Sequence, residues 1–180
     1  GCPGLWNDDQ AGDWRRITDW VHQRTDAKIG LQIGHSGAKG STCRPWQGAG
    51  MDQPLAPDSI EPNWPLLAAS AQPYLTDGQV PRAMSRADMD RVRDDFVRAT
   101  QRAIDAGFDW LELHCAHGYL LSGFISPLTN HRNDEYGGPL NHRLRYPIEV
   151  FAAVRAVWPE NAAGAILFPF SANRRQRQRR

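Results

Sequence analysis

The spacing of hydrophobic residues along the chain changes between two periods, and each period predicts a different element. Residues 14–24 carry apolar side chains at the three- and four-residue intervals of a helix: Trp14, Ile17, Trp20 and Val21. Asp13 precedes them as the expected N-cap. Residues 28–35 then alternate as a strand does, with aliphatic side chains on one face and Gln32, between two glycines, on the other. The glycines are expected to leave room for a ligand beside Gln32.

The same two periods return in the second half of the chain. The run Ser85-Arg86-Ala87-Asp88 is a capping box, and apolar residues follow it at helical spacing. Gly107 is expected to end this helix. Residues 110–114 alternate again, with Leu111 and Leu113 on one side of a predicted strand.

A polar loop over residues 118–139 leads to a third predicted helix at 140–158, which Pro147 kinks or begins. Helices therefore alternate with strands, and this order predicts an α/β fold with parallel strands. Periodicity does not separate a closed barrel from an open, doubly wound sheet. In either case the polar residues 32–35 and 114–119 lie at the carboxyl ends of strands, where parallel folds place their sites.

Segment 36–84 contains seven prolines and no sustained period. Loops longer than about 12–15 residues are uncommon unless they serve a function or are disordered. Its apolar residues favour an ordered cover that packs over a site: Trp46, Met51, Trp64, Leu66, Leu67 and Tyr74.

Composition narrows the class of protein. A chain of 180 residues with 41% hydrophobic content can bury the core of one domain. It has neither an apolar run of roughly 18 residues nor a secretory leader, so we expect a cytoplasmic protein without a membrane span. The three cysteines are far apart and form no recognisable metal or disulfide pattern.

The net charge of +1 conceals an asymmetry, because five arginines lie within residues 174–180. The rest of the chain has 16 basic and 20 acidic residues and is mildly acidic. The tail is expected to be unstructured. It could bind RNA or an acidic partner, but it lacks the interleaved aromatics typical of nucleic-acid binding, so nucleic acid is not the favoured partner.

His114 and His117 form an H-x-x-H pair followed by Tyr119. Residues three apart on a strand point to opposite faces, and no third ligand completes a zinc set, so we predict no metal site. Two imidazoles can instead bind one substrate oxygen while a tyrosine delivers a proton. That chemistry suits reduction of a double bond conjugated to a carbonyl. Two purely structural histidines are the alternative.

Three runs make the pattern specific. Residues 114–130, 132–138 and 31–37 resemble the signature of the Old Yellow Enzyme family. Shorter runs are similar to the reductase-like domain of salicylyl-CoA 5-hydroxylase and aminobenzoyl-CoA monooxygenase/reductase: residues 52–55, 63–66 and 109–114. The resemblance implies that residues 1–173 form an incomplete FMN-binding (β/α)8 TIM barrel, with a long loop after the first complete strand.

The resemblance also implies a role for each candidate residue. Gln32 would bind the pyrimidine edge of FMN, His114 and His117 would hold the substrate oxygen, and Tyr119 would donate the proton. In the family's cycle NADH or NADPH reduces FMN, which passes hydride to an enone or aryl-CoA substrate. The sequence leaves the oligomeric state open.

Some positions depart from the family pattern. Ala38 stands where the family has arginine, and Pro169 occupies the place of an arginine expected to reach the flavin. A barrel of this kind needs roughly 250 residues. We therefore expect a fragment whose end is out of frame and whose own activity is open, with a noncatalytic binding protein as the alternative. Residues 130–136 are expected to fix a loop through hydrogen bonds rather than to act chemically.

Overall fold

The computed structural model describes residues 3–44, 46, 53–55, 63–76 and 78–160. Met51, Pro169 and the arginine-rich tail lie outside these residues. Helices and strands follow in this order: α1 Asp8–Arg24, β1 Gly30–Ile33, a 3₁₀ turn Gly37–Lys39, β2 Leu67–Ala68, β3 Arg82–Ala83, α2 Arg86–Asp105, β4 Trp110–Leu113, α3 Leu120–Ile125, α4 Leu140–Arg143 and α5 Arg145–Val157. No helix in the described part of the chain is both long and apolar enough for a membrane crossing.

Strands β1 and β4 pair in parallel, as the alternating pattern predicts. Their apolar face is buried, with Leu113 fully covered and Ile33 and Leu111 nearly so. Along the opposite face, Gly30 pairs with Trp110 and Gln32 pairs with Glu112. Just beyond the strands, Gly34 lies beside His114. The predicted division of the strands into an apolar and a polar face is confirmed.

Helix α1 begins at Asp8 rather than at residue 14, because the Asn7 side chain accepts a hydrogen bond from the backbone N–H of Gln10 at 2.9 Å. The predicted apolar face is also partly wrong. Thr18 is fully buried, and its hydroxyl donates to the carbonyl of Ala106. Ile17 and Trp20 are 47% and 56% exposed.

Helix α2 has the predicted capping box. The Ser85 hydroxyl accepts from the N–H of Asp88, and the Asp88 carboxylate accepts from the N–H of Ser85 at 2.9 Å. Hydrogen bonds from Arg82 and then from Ser85 hold the pKa of Asp88 well below its usual range. The helix ends before Gly107, whose φ of +82° is the left-handed conformation expected after a helix.

Asp109 joins the start of β4 to α1 and β1. Its carboxylate accepts hydrogen bonds from His22 at 2.7 Å, Lys28 at 2.9 Å and the N–H of Ile29 at 2.9 Å. Burial raises the pKa of Asp109, but these hydrogen bonds outweigh it and hold that pKa below its usual range.

The predicted loop at 118–139 contains a helix, α3, which the sequence pattern missed. Leu120, Leu121 and Phe124 are buried on it. The predicted third helix is divided at Leu144 into α4 and α5, and Pro147 lies in the first turn of α5. A proline is tolerated there because the N–H groups of the first turn have no carbonyl partner within the helix.

The described part of the long segment between β1 and α2 contains β2 and β3, which pair in parallel. Leu66, Ala69 and Met84 are buried, so this part packs as predicted. Trp46 and Trp64 do not, since they are 69% and 51% exposed.

Candidate active site at the carboxyl ends of the strands

The candidate residues lie along the polar face of β1 and β4 and in the turn that follows β4. The backbone N–H of His114 donates to the carbonyl of Ile33 at 2.9 Å, which extends the strand pairing by one residue. His117 and Tyr119 follow in the turn that leads into α3. The structure therefore brings together the three residues that the sequence singled out, with Gln32 farther down the same face.

His114 and His117 point their rings at each other. Nε2 of His114 lies 3.2 Å from Nδ1 of His117, and the ring centroids are 5.0 Å apart in an edge-on arrangement. The N–H of Ala116 donates to Nδ1 of His114 at 3.2 Å, so a neutral His114 carries its proton on Nε2. Burial, and after it the neighbouring His117, lower the pKa of His114, which favours this neutral form. In this pair Nε2–H of His114 donates and Nδ1 of His117 accepts.

The turn holds His117 in an uncommon conformation. His117 and Gly118 have φ values of +55° and +74°, in the left-handed region that a histidine adopts rarely. Two backbone hydrogen bonds fix the turn: Tyr119 N–H donates to Ala116 at 3.0 Å, and Leu120 N–H donates to the carbonyl of His35 at 2.9 Å. The second bond joins this turn to the end of β1.

Gly37 brings the 3₁₀ turn against the start of α3. Its φ is +61°, and a Cβ placed on it would lie 2.9 Å from the backbone nitrogen of Leu120. Lys39 of the same turn places its ammonium 4.4 Å from the ring centroid of Tyr74.

Tyr119 stacks on His114, with ring centroids 4.6 Å apart and an angle of 28° between the planes. It lines an open groove of about 1030 Å³ together with His117 and Lys39. Tyr74 and Ser126 also line this groove. A molecule in the groove therefore contacts Tyr119.

Cys115 lies between the two site histidines in sequence and borders the groove, but its thiol is buried. Burial raises the pKa of the Cys115 thiol to about 12. The thiolate is the reactive form of cysteine, so this thiol is not a nucleophile near neutral pH.

Gln32 is exposed on the strand face, and its Nε2 donates to Oε1 of Glu112 at 2.6 Å. The expected room beside it is restricted by neighbouring side chains. A Cβ on Gly30 would overlap the indole of Trp110, and a Cβ on Gly34 would lie 3.0 Å from the Cβ of His114. Both glycines accommodate side chains of β4 rather than leaving open space beside Gln32.

Asn130 and Arg132 fix the loop after α3. The Asn130 amide donates to the carbonyls of Phe124 at 2.7 Å and Tyr136 at 2.8 Å. Arg132 donates to the carbonyls of Ala69 at 3.1 Å and Met84 at 2.7 Å. These contacts confirm the structural interpretation of residues 130–136.

His35 has a structural contact too. Its Nδ1 accepts the N–H of Gly37 at 3.0 Å, and burial lowers its pKa. Within the described residues no group of three or more His, Cys, Asp or Glu side chains could hold a metal ion.

Sequence reasoning missed Lys39 as a neighbour of the site, and it predicted neither the bond between Glu112 and Gln32 nor the contact between Tyr74 and Lys39. For Glu112 a signal was present: it shares the polar face of its strand with His114. Lys39 and Tyr74 belong to the segment between β1 and α2, where no period predicts which side chains meet.

Comparison with known proteins identifies related chains. A sequence profile of the NADH:flavin oxidoreductase / NADH oxidase family matches residues 1–178. An NADH:flavin oxidoreductase of Gibberella zeae is 38% identical over 167 residues, covering 87% of this chain and 38% of the relative. An NADPH dehydrogenase of Listeria monocytogenes is 37% identical over 155 residues, covering 86% of this chain and 40% of the relative.

The solved structure of an Old Yellow Enzyme homologue from Zymomonas mobilis is similar in fold. It matches with a TM-score of 0.71 and 30% identity, over 92% of this chain and 44% of that one. The likeness confirms the predicted fold class, part of a (β/α)8 barrel with parallel strands. The chain spans about two fifths of the length of these curated relatives.

Proposed function

The chain belongs to the NADH:flavin oxidoreductase / NADH oxidase family, and on that premise we propose that it carries the substrate site of an FMN-dependent NAD(P)H oxidoreductase of the Old Yellow Enzyme type. The reaction is reduction of a carbon–carbon double bond conjugated to a carbonyl. When bound, FMN supplies the redox chemistry by taking hydride from NADH or NADPH and passing it to the alkene carbon.

The observation that carries the proposal is the approach of two imidazole nitrogens within 3.2 Å of each other, Nε2 of His114 and Nδ1 of His117. Nε2–H of His114 is a donor already. When a carbonyl or phenolate oxygen enters beside the pair, His117 presents Nδ1–H in its other tautomer, and both rings donate to that oxygen. Two donors aimed at one oxygen stabilise the negative charge that develops on it during reduction.

Tyr119 is the proposed donor of the proton that completes the reaction. Its ring stacks on His114 at 4.6 Å, and it lines the groove together with His117, which supports this role. A positioned phenol contributes by general acid catalysis, which typically accelerates a step by about 10²–10⁴-fold.

Gln32 fits the pyrimidine edge of FMN by its donor set. One amide proton is held by Glu112, and the other proton and Oε1 form an adjacent donor–acceptor pair. That pair is complementary to the N3–H and the adjacent carbonyl of an isoalloxazine. The site thus offers one residue for the pyrimidine edge of the flavin and three for the substrate.

The direct test measures FMN binding by flavin fluorescence quenching, and then binding of a phenol and NADPH-dependent reduction of a cyclic enone. We expect His114→Ala and His117→Ala each to weaken phenol binding and to lower turnover by about 10²–10³-fold, as for loss of one oxyanion donor. His131→Ala is the matched control because His131 is exposed and lies outside the site. Unchanged phenol binding in both site variants would reject the proposal.

Enone and aryl-CoA compounds are both predicted as substrate classes, and competition between a cyclic enone and an aryl-CoA ester would separate them. The cytoplasmic location and an oligomeric assembly stay predictions.

A further inference from the structure

We propose that Glu112 is a positioning residue that sets the amide orientation of Gln32 toward the pyrimidine edge of the flavin, an inference that rests on the proposed function. Gln32 and Glu112 are direct partners in the parallel register of β1 and β4. Their side chains project from the same face, and Nε2 of Gln32 donates to Oε1 of Glu112 at 2.6 Å.

The orientation follows from the hydrogen-bonding capacity of the two groups. An ionised carboxylate accepts and cannot donate, so it pairs with the NH₂ end of an amide and repels the carbonyl end. Of the two amide orientations of Gln32, only the one observed satisfies Glu112. Oε1 is therefore available to a ligand, beside the second Nε2 proton. Without Glu112 the amide of this exposed side chain could flip, and half of its orientations would present the wrong order of donor and acceptor.

Among the residues that the structure describes, no ion pair explains the position of Glu112. No described Lys or Arg forms a salt bridge with Glu112. By contrast, four carboxylates of helix α2 each form a salt bridge with an arginine. Its charge lies near His114, whose pKa it raises slightly against the larger effect of burial. The hydrogen bond to Gln32 is therefore the contact that accounts for the orientation of this carboxylate.

Gly30 and Trp110 lie next to the Gln32–Glu112 pair on the same face of β1 and β4. The Trp110 indole lies over Gly30, where any Cβ would overlap it. The indole and Glu112 thus lie on the same face of β4, two residues apart.

The first experiment needs no flavin. In ¹H–¹⁵N spectra of the full chain, we expect one Nε2 proton of Gln32 to be shifted downfield, with Gln32→Ala providing the assignment. The shift should disappear in Glu112→Ala and shrink in Glu112→Gln, whose carbonyl accepts more weakly. Exposed Gln101, which donates to Asp105 at 3.3 Å, is the internal reference. A Gln32 resonance that is unchanged in Glu112→Ala overturns the proposal.

The second experiment is a double-mutant cycle on FMN affinity, measured by fluorescence quenching. Gln32→Ala and Glu112→Ala should each weaken binding by about fivefold to tenfold, the effect of one hydrogen bond. The double variant should be no weaker than Gln32→Ala, because Glu112 acts only through Gln32. The wild type should also prefer FMN over its N3-methyl derivative, and Glu112→Ala should lose much of that preference. A merely structural role would lower the affinity for both flavins equally.

The outcomes separate the two proposals. A chain that has the shifted Gln32 resonance but binds no FMN rejects the proposed function, and the flavin role of Glu112 with it. A chain that binds FMN and shows additive losses in the cycle rejects the positioning role alone.

Discussion

Asn130 provides a sharp test of the interpretation that residues 130–136 hold a loop rather than act on substrate. Its side chain is 4% exposed and makes three hydrogen bonds. The amide donates to the carbonyls of Phe124 at 2.7 Å and Tyr136 at 2.8 Å, and its oxygen accepts the N–H of Arg132 at 3.1 Å. These bonds join the end of α3 to the turn that precedes α4.

Replacing Asn130 with alanine leaves two carbonyls and one N–H without these partners. Each buried polar group left unsatisfied costs about 1–3 kcal/mol, and the three costs are not additive because the loop can relax toward water. We therefore expect the free energy of unfolding to fall by about 3–5 kcal/mol, among the larger effects of a single substitution. Asn130→Asp should be similarly destabilising, because it replaces the donor with an acceptor that faces two carbonyls.

The assay is urea unfolding followed by tryptophan fluorescence, with Asn133→Ala as the matched control. Asn133 is exposed in the same loop, and its replacement should change stability by no more than about 0.5 kcal/mol. If Asn130→Ala were as stable as that control, the hydrogen bonds would not hold the loop. If it kept its stability but lost activity, Asn130 would belong to the site.

Three further predictions follow from single contacts. Gly37→Ala places a Cβ 2.9 Å from the Leu120 nitrogen at a φ of +61°. We therefore expect the free energy of unfolding, measured in urea, to fall by about 1–3 kcal/mol and phenol binding to weaken. A variant as stable as the wild type would contradict the close packing. The folded-state pKa of Asp109 lies below its unfolded value, so its contribution to stability is present above about pH 4 and is lost as pH falls. Urea midpoints at pH 7, 5 and 3 should therefore fall less steeply in Asp109→Asn than in the wild type, and parallel curves would refute the assignment. Burial raises the pKa of the Cys115 thiol to about 12, so this thiol should react slowly with iodoacetamide at pH 8. The test uses a variant whose other two cysteines are serine and measures labelling by mass spectrometry. Labelling at the rate of a free thiol would show that Cys115 is not buried.

The elements that sequence reasoning predicted well are those in which local and tertiary preferences agree. Helix α2 combines a capping box, an apolar stripe and a terminal glycine, and all three are observed. Strand β4 has strict alternation, and the predicted polar face continues to His114 at the carboxyl end of the strand. Parallel topology then required only the alternating order of elements.

Other features depended on partners that a single sequence does not reveal. In α1, Thr18 is buried because its hydroxyl bonds the carbonyl of Ala106, while the more apolar Ile17 and Trp20 remain exposed. Helix α3 is only six residues long, too short for a period to be recognised. The pairing of Gln32 with Glu112 requires the register of two strands 80 residues apart.

The family resemblance implied roles for the two histidines and the tyrosine, but not how they are arranged. The tautomer of His114 follows from the N–H of Ala116, a backbone contact that no motif contains. Similarly, the two glycines around Gln32 indicated space, whereas Trp110 and the Cβ of His114 occupy it.

The bond between Leu120 and His35 has a consequence for anyone who would redesign this site. The turn after β4 is bonded to the end of β1, and Gly37 packs against Leu120 in that turn. The two segments that follow the strands therefore form one connected structural unit. Substrate preference should therefore transfer between relatives when residues 35–39 and 114–120 are exchanged together. If residues 114–120 were exchanged alone, their turn would pack against residues 35–39 that fit a different turn, and the histidines would be misplaced.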